Sequence, residues 1–187
     1  MNEDLNNALQ VIRDGGVILY PTDTIWGIGC DATNEKAVAR IYSIKKREDT
    51  KSMLVLLYPE NLLASYVAEV PEIAWELIDA ALDPLTIIYP GAKNLAKNLI
   101  GMDETIGIRI CADEFCRKLL EKFRKPIVST SANLAGAPSP ANFSEIDSSI
   151  RKQVDYVVNW RQDDFSRSKP SSIIKIGTGG EIVIIRK

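Results

Sequence analysis

Apolar and polar positions along the chain switch repeatedly between two periods. Residues 4–14 place Leu5, Ala8, Leu9 and Ile12 on one stripe, the spacing of an amphipathic helix, and Gly15-Gly16 stops it. The apolar run VILY (17–20), closed by Pro21, predicts a buried strand. Asn34 predicts the N-cap of a helix running to about Lys46, with Val38, Ile41, Tyr42 and Ile44 on its apolar stripe. MLVLL (53–57) predicts a second buried strand. Residues 60–68 and 71–81 read as helices, the latter with Pro71 at its start. LTIIY (85–89) reads as a strand ended by Pro90-Gly91, and TIGIRI (105–110) alternates like a strand with one covered face. Asp113 predicts the cap of a helix carrying Phe115, Cys116, Leu119, Leu120 and Phe123; PIVST (126–130) predicts a strand and 144–152 a helix. YVVNW, SSIIKI and EIVIIR predict late strands, with Gly179-Gly180 as the hairpin turn between the last two.

Helices and strands that interleave in this way imply an α/β sheet with covered faces. No internal repeat, low-complexity tract or composition break marks a second unit, and 187 residues suit one domain with a sizeable core. The longest late polar stretch, RQDDFSRSKP (161–170), reads either as a lid or as a surface loop.

Composition narrows the chemistry. The net charge is -2, so the whole chain lacks the basic excess of a standing nucleic-acid binder and any anion site is local. Three cysteines, Cys30, Cys111 and Cys116, form no regular framework, which fits a reducing compartment. Cys111 and Cys116 read as structural, since residues five apart on a helix do not share a face well. The start, MNEDLNNALQ, is polar and acidic, unlike a signal peptide, and no apolar run approaches about 18 residues; a cytoplasmic protein without a membrane span is expected. The absence of histidine removes Ser-His and Cys-His pairs, the usual imidazole base and most catalytic zinc sites. Lys, Arg, carboxylates, hydroxyls, amides and the backbone remain.

Four segments carry candidate chemistry. PTDTIWGIG (21–29) follows the first strand; Thr22 and Thr24 flank Asp23, which suits either a capped turn or a ligand loop. GIGCDA (27–32) matches the dinucleotide pattern G-x-G-x-x-A, but Pro21 and five further residues separate its glycines from the strand, which argues against that use. KKREDTKS (45–52) brings Lys45, Lys46, Arg47 and Lys51 together where a helix gives way to a strand. Its lysines suit the negative end of a helix dipole, and Lys45 and Arg47 equally suit an anion wall. SIKK (43–46) also matches S-x-x-K, but a β-lactamase-like acyl enzyme would need K-T-G, a signal peptide and a longer chain. STSAN (129–133) ends a buried strand in hydroxyls and a carboxamide, which offers donors and acceptors to a nucleotide. Arg109, in an otherwise apolar strand, needs either a structural carboxylate or an anionic ligand, and Arg186 near the C-terminus raises the same question.

Taken in order, PTDTIWGIGCDA, IKKREDTKSMLVL, DPLTIIYPG, GIRI, STSANLAGAPSP and SSIIKI with IVIIR resemble the motifs of the YrdC-like threonylcarbamoyl-adenylate synthases, over about residues 5–186. The specific part is K-x-R followed by S-x-N: Lys45, Arg47, Ser131 and Asn133. The resemblance implies an open, twisted, mostly mixed β-sheet with helices on its faces and a large concave cavity, as a short form with one YrdC-like domain over 1–187. It implies conversion of L-threonine, bicarbonate and ATP to threonylcarbamoyl-adenylate and pyrophosphate, feeding threonylcarbamoyladenosine formation on tRNA by separate transfer proteins. ATP is then a substrate; a magnesium ion on its phosphates is compatible, without a dedicated protein cage. On this basis Lys45 and Arg47 are expected to be catalytic. Thr22, Thr24, Trp26 and Arg109 are expected to take threonine and bicarbonate, and Lys51, Thr130, Ser131, Asn133, Ser171 and Arg186 the nucleotide. Trp26 stands where the family usually has Tyr, and Ser52 and Cys111 stand where it usually has Pro. The alternative reading is a module that binds double-stranded RNA or tRNA without nucleotide turnover; the acidic balance counts against RNA as its sole partner.

Overall fold

The computed structural model describes residues 1–46 and 53–187. Among the described residues nine strands form one mixed sheet: β1 (Ile18–Tyr20), β2 (Gly27–Gly29), β3 (Leu54–Leu57), β4 (Leu85–Tyr89), β5 (Ile106–Ile110), β6 (Ile127–Ser131), β7 (Tyr156–Val157), β8 (Ser172–Ile176) and β9 (Ile182–Arg186), in the order β7-β1-β2-β6-β3-β5-β4-β8-β9. The pairs β1–β7, β3–β5 and β4–β8 are parallel and the other five antiparallel. The helices of the described residues are α1 (Asn2–Arg13), α2 (Glu35–Lys45), α3 (Leu63–Tyr66), α4 (Glu72–Ala80), α5 (Glu114–Phe123) and α6 (Ser148–Gln153). This is the open mixed α/β sheet expected.

The helix starts follow the capping chemistry. The Asn34 side chain accepts from the Lys36 and Ala37 amides at 3.1 and 3.2 Å, and Asp113 accepts from the Cys116 amide at 3.0 Å. α1 and α5 pack on each other through the stripes read from the sequence, with Leu5, Ala8, Leu9 and Ile12 on one and Phe115, Cys116, Leu119, Leu120 and Phe123 on the other all buried.

Several boundaries differ. The helix expected over 60–68 is a 3-10 turn (Glu60–Leu62) followed by α3, because Val67 turns extended and bridges to Ala92. The helix expected at 144–152 divides into a 3-10 turn (Phe143–Glu145) and α6. YVVNW shortens to the two residues of β7, since the Asn159 amide and carboxamide turn to the buried Asp4 carboxylate at 2.8 and 3.1 Å. Hydrogen bonds from Asn159 and Tyr156 outweigh the burial that would otherwise raise the Asp4 carboxyl and hold it below the usual carboxylate range. Cys111 lies beyond β5 rather than on α5, so both thiols reach one buried neighbourhood: burial, then Cys111, pushes the Cys116 thiol well up. All three cysteines are free thiols. No helix among the described residues is long and apolar enough to cross a membrane.

The largest surprise is β2, which forms from the glycines of GIGCDA. A Cβ on Gly29 would come within 2.5 Å of the Val128 carbonyl oxygen and 2.6 Å of the Tyr20 ring. The glycine lets β2 lie against β6 and the buried Tyr20, whose hydroxyl donates to the Val128 carbonyl at 3.1 Å. Gly29→Ala is expected to destabilise the protein by about 1–3 kcal/mol, the cost of overpacking a filled site. Urea unfolding checks this: unchanged stability would show that β2 and β6 can separate without loss.

Candidate functional site

Strand alternation sends Thr86 and Ile88 of β4, Gly107 and Arg109 of β5 and Ile173 of β8 to one face of the sheet, where they line a cavity of about 280 Å³. Thr24, Thr105, Ser129, Thr130, Ser131, Ser139, Ser171 and Arg186 also line it, so its wall is rich in hydroxyls. Two guanidiniums enter this space. The Arg186 pKa is lowered by partial burial and then by the charge of Arg109.

Arg109 is 3% exposed. Its Nη2 lies 3.0 Å from Asp23 Oδ1 and 3.5 Å from Thr22 Oγ1, while its Nε has no hydrogen-bond partner. A structural carboxylate therefore neutralises Arg109 on one side and leaves donor capacity over. Burial raises the Asp23 carboxyl above its ordinary value; Arg109 opposes that shift and Asp113 adds to it. The contact at 3.0 Å is an ion pair without hydrogen-bond alignment, since Asp23 Oδ1 has no hydrogen-bond donor.

The loop that carries Asp23 is held by its own hydroxyls. Thr22 Oγ1 donates to the Ile25 carbonyl at 2.8 Å and accepts from the Thr24 amide at 3.0 Å. The loop is thus a self-capped turn that places Thr24 on the cavity wall. Outside it, Arg161 Nη1 donates to the Thr22 carbonyl and to Asp113, at 3.3 and 3.2 Å. The polar 161–170 stretch is accordingly tied to this loop at its first residue, and Pro170 at its end lines the cavity.

The expected residues divide. Thr24, Arg109, Thr130, Ser131, Ser171 and Arg186 line the cavity together. Thr22 supports Thr24 and Arg109 from behind. Trp26 is buried against Phe143, 4.8 Å between ring centroids, and is not part of the cavity wall. Asn133 spends its amide on the Leu134 and Ala137 carbonyls at 3.0 and 2.6 Å, shaping a turn beside the cavity. Lys45 is 2% exposed. Its ammonium donates to the Ser131 carbonyl and, at 2.7 Å, to the Asn133 carbonyl, and its own carbonyl accepts from the Ala135 amide at 2.9 Å. Lys45 is therefore a clamp that holds the exit of β6 to the end of α2. Arg47, Lys51 and Ser52 lie outside the described residues. Ser129, the first hydroxyl of STSAN, lines the cavity as well; sequence reasoning missed Thr86, Thr105 and Ser139 as cavity residues, and Asp23 as the partner of Arg109. Only the parity of β4 carried a signal for Thr86, as a polar residue in an apolar strand.

The profile of the family described as telomere recombination, Sua5/YciO/YrdC, matches residues 10–187. The chain belongs to the Sua5/YciO/YrdC family. A curated Sua5/YciO/YrdC relative, threonylcarbamoyl-AMP synthase of Pseudoalteromonas translucida, is 32% identical over 178 residues, 94% of each chain. The crystal structure of E. coli YciO superimposes with a TM-score of 0.86 at 27% identity, covering 100% of this chain and 90% of that one. P. abyssi Sua5 complexed with L-threonine gives 0.86 at 26% identity over 97% of this chain, which spans about half of that longer protein (53%).

The raised Asp23 carboxyl sets a pH dependence for this family member. The folded state holds the Asp23 proton more tightly than the unfolded chain does, so this group favours folding most below about pH 4. That contribution declines as pH rises through the raised value. In Asp23→Asn the decline is absent, so the variant's stability relative to wild type improves as pH rises from about 4, on top of a pH-independent loss from leaving Arg109 without its counter-charge. Its activity is nonetheless expected to fall roughly 10–100-fold, because Arg109 loses the group that orients it. Urea unfolding across pH together with steady-state kinetics tests both; full activity would reduce Asp23 to a packing residue.

Proposed function

We propose that the chain is an L-threonylcarbamoyladenylate synthase, with residues 1–187 acting as one YrdC-like unit. L-Threonine, bicarbonate and ATP give threonylcarbamoyladenylate, pyrophosphate and water, and the product serves threonylcarbamoyladenosine formation on tRNA by separate transfer proteins. The observation that carries this reading is the convergence of Arg109 and Arg186 on one hydroxyl-lined cavity. The threonine amine attacks the carbon of bicarbonate or CO2, forming an N-carboxylate. An oxygen of that carboxylate attacks the α-phosphorus of ATP and the bond to pyrophosphate breaks. Negative charge accumulates at both steps, and fixed guanidiniums in a cavity stabilise it without reorganising. Proximity of the three reactants in one space supplies much of the rest.

In this reading Thr24 and Arg109 hold the threonine and its carboxylated form, with Thr22 behind them. Thr130, Ser131, Ser171 and Arg186 hold the nucleotide; the Ser171 carbonyl already accepts from Arg186 Nε at 2.9 Å, which aims the guanidinium. The roles of Arg47 and Lys51 rest on the motif alone. Lys45 and Asn133 act through the backbone they hold. Among the described residues no carboxylate lines the cavity, so a magnesium ion would ride on the phosphate oxygens. Free buried thiols fit the cytoplasmic location that belongs to this reading.

Pyrophosphate release should require ATP, threonine and bicarbonate together, with a threonylcarbamoyl-adenylate mass appearing in step. Release that ignores threonine would overturn the reading. Arg186→Ala should weaken binding of a nonhydrolysable ATP analogue by about 1.5–3 kcal/mol, the range for charge-assisted hydrogen bonds, measured by calorimetric titration. Unchanged affinity would remove Arg186 from the nucleotide site.

A further inference from the structure

One row of residues crosses the cavity face of the sheet. Arg109 of β5 lies opposite Thr86 of β4, and Thr86 lies opposite Ile173 of β8. A regular β8–β9 ladder would continue by pairing Ile173 with Ile185, but the register shifts between Ile173 and Ile174 and sets Arg186 opposite Ile173 instead. The bulge thereby turns Arg186 to the face that Ile173 shares, and all four residues of the row line the cavity. Neighbouring strands are about 4.8 Å apart, so about 14 Å separates the two arginine backbones, with Thr86 and Ile173 between them.

Beside the middle of this row two hydroxyls meet. Thr86 is 1% exposed and Ser171 3%, and their oxygens are 2.8 Å apart. Ser171 precedes Ile173 by two residues and also lines the cavity. Its carbonyl accepts from Arg186 Nε, which sets it against that guanidinium. Among the described residues neither hydroxyl has a second hydrogen-bond partner. Two hydroxyls that share one hydrogen bond use one proton and keep the other for a third group. Guanidiniums at both ends of the row draw an anionic oxygen toward its middle, and such an oxygen can only accept. Ser171, seated against Arg186, is the hydroxyl placed to donate to it. The Ser171 oxygen then accepts from Thr86, and a hydroxyl that accepts one hydrogen bond donates a stronger one. Without that partner the serine side chain is free to choose among three staggered rotamers.

We propose that Thr86 is a positioning residue: its hydroxyl donates to Ser171 and so holds the Ser171 hydroxyl as a donor to the substrate oxygen, phosphate or carboxylate, gathered between Arg109 and Arg186. Thr86 acts through Ser171 rather than on the substrate. This rests on the synthase reading, in which Ser171 and Arg186 hold the nucleotide.

Calorimetric titration of a nonhydrolysable ATP analogue and, separately, of L-threonine tests the relay, with circular dichroism to establish that each variant is folded. Thr86→Val removes the hydroxyl and keeps the branched shape; it should weaken the ATP analogue roughly 3–10-fold, the worth of one hydrogen bond, and Thr86→Ala should do the same. Thr86→Ser restores the hydroxyl and should bind as wild type. Ser171→Ala should weaken the same ligand at least as much as Thr86→Val. The double variant Thr86→Val with Ser171→Ala should bind no more weakly than Ser171→Ala alone, whereas a general disturbance of β4 would add to the loss. The same pattern on L-threonine in place of the ATP analogue would take Ser171 out of the nucleotide group and leave the relay standing. Thr86→Val binding as wild type while Ser171→Ala is weakened overturns the proposal. So do a Thr86→Ser variant as weak as Thr86→Val, additive losses in the double variant, or a Ser171→Ala variant that binds both ligands normally. A wild-type chain that binds neither ligand overturns the synthase reading, and the relay with it.

Discussion

A guanidinium inside a β-sheet is the constraint around which this molecule is arranged. Arg109 stands in β5 with almost no contact to water, and a charge so placed needs a counter-charge. Asp23 supplies it from the loop between β1 and β2. That requirement fixes the loop, and the loop in turn fixes Thr22 and Thr24, whose hydroxyls close on each other at 3.0 Å. Arg161 then fastens the far side of the same loop to the cap of α5 through Asp113. The raised Asp23 carboxyl shows that the ion pair only partly offsets its burial, the condition of a site held at some expense of stability.

The cavity follows from parity. One face of β4, β5 and β8 presents Thr86, Arg109 and Ile173 to the cavity, while Ile87, Ile108 and Ile174 on the other face are buried apolar residues. β6 brings its hydroxyls beside them because Lys45 clamps the carbonyls of Ser131 and Asn133. A buried lysine whose ammonium donates to carbonyls holds backbone in place. Chemistry without histidine is then a matter of cations, hydroxyls and position, with Arg186 sharing the β9 strand between the cavity and the open edge of the sheet.

Much of this was already present in the one-dimensional pattern. The amphipathic stripes of α1 and α5, the caps Asn34 and Asp113, and the apolar runs of β1, β3, β4, β6, β8 and β9 are local properties, and short-range periodicity and capping determine them. The ordered motifs determined the family, and Arg109 announced itself as a charge in an apolar strand. Tertiary structure decided the rest. The glycines of β2 read as part of a capped turn or ligand loop because only the nearness of Tyr20 and Val128 makes them a strand. Lys45 read as an anion-facing cation because nothing local shows that carbonyls more than eighty residues away would surround it. Trp26 left the cavity for Phe143 and Asp23 took up Arg109 for the same reason. A sequence states which side chains carry charge or hydroxyls, but distances between segments far apart in the chain, and the burial that sets their electrostatics, exist only once the sheet has brought them together.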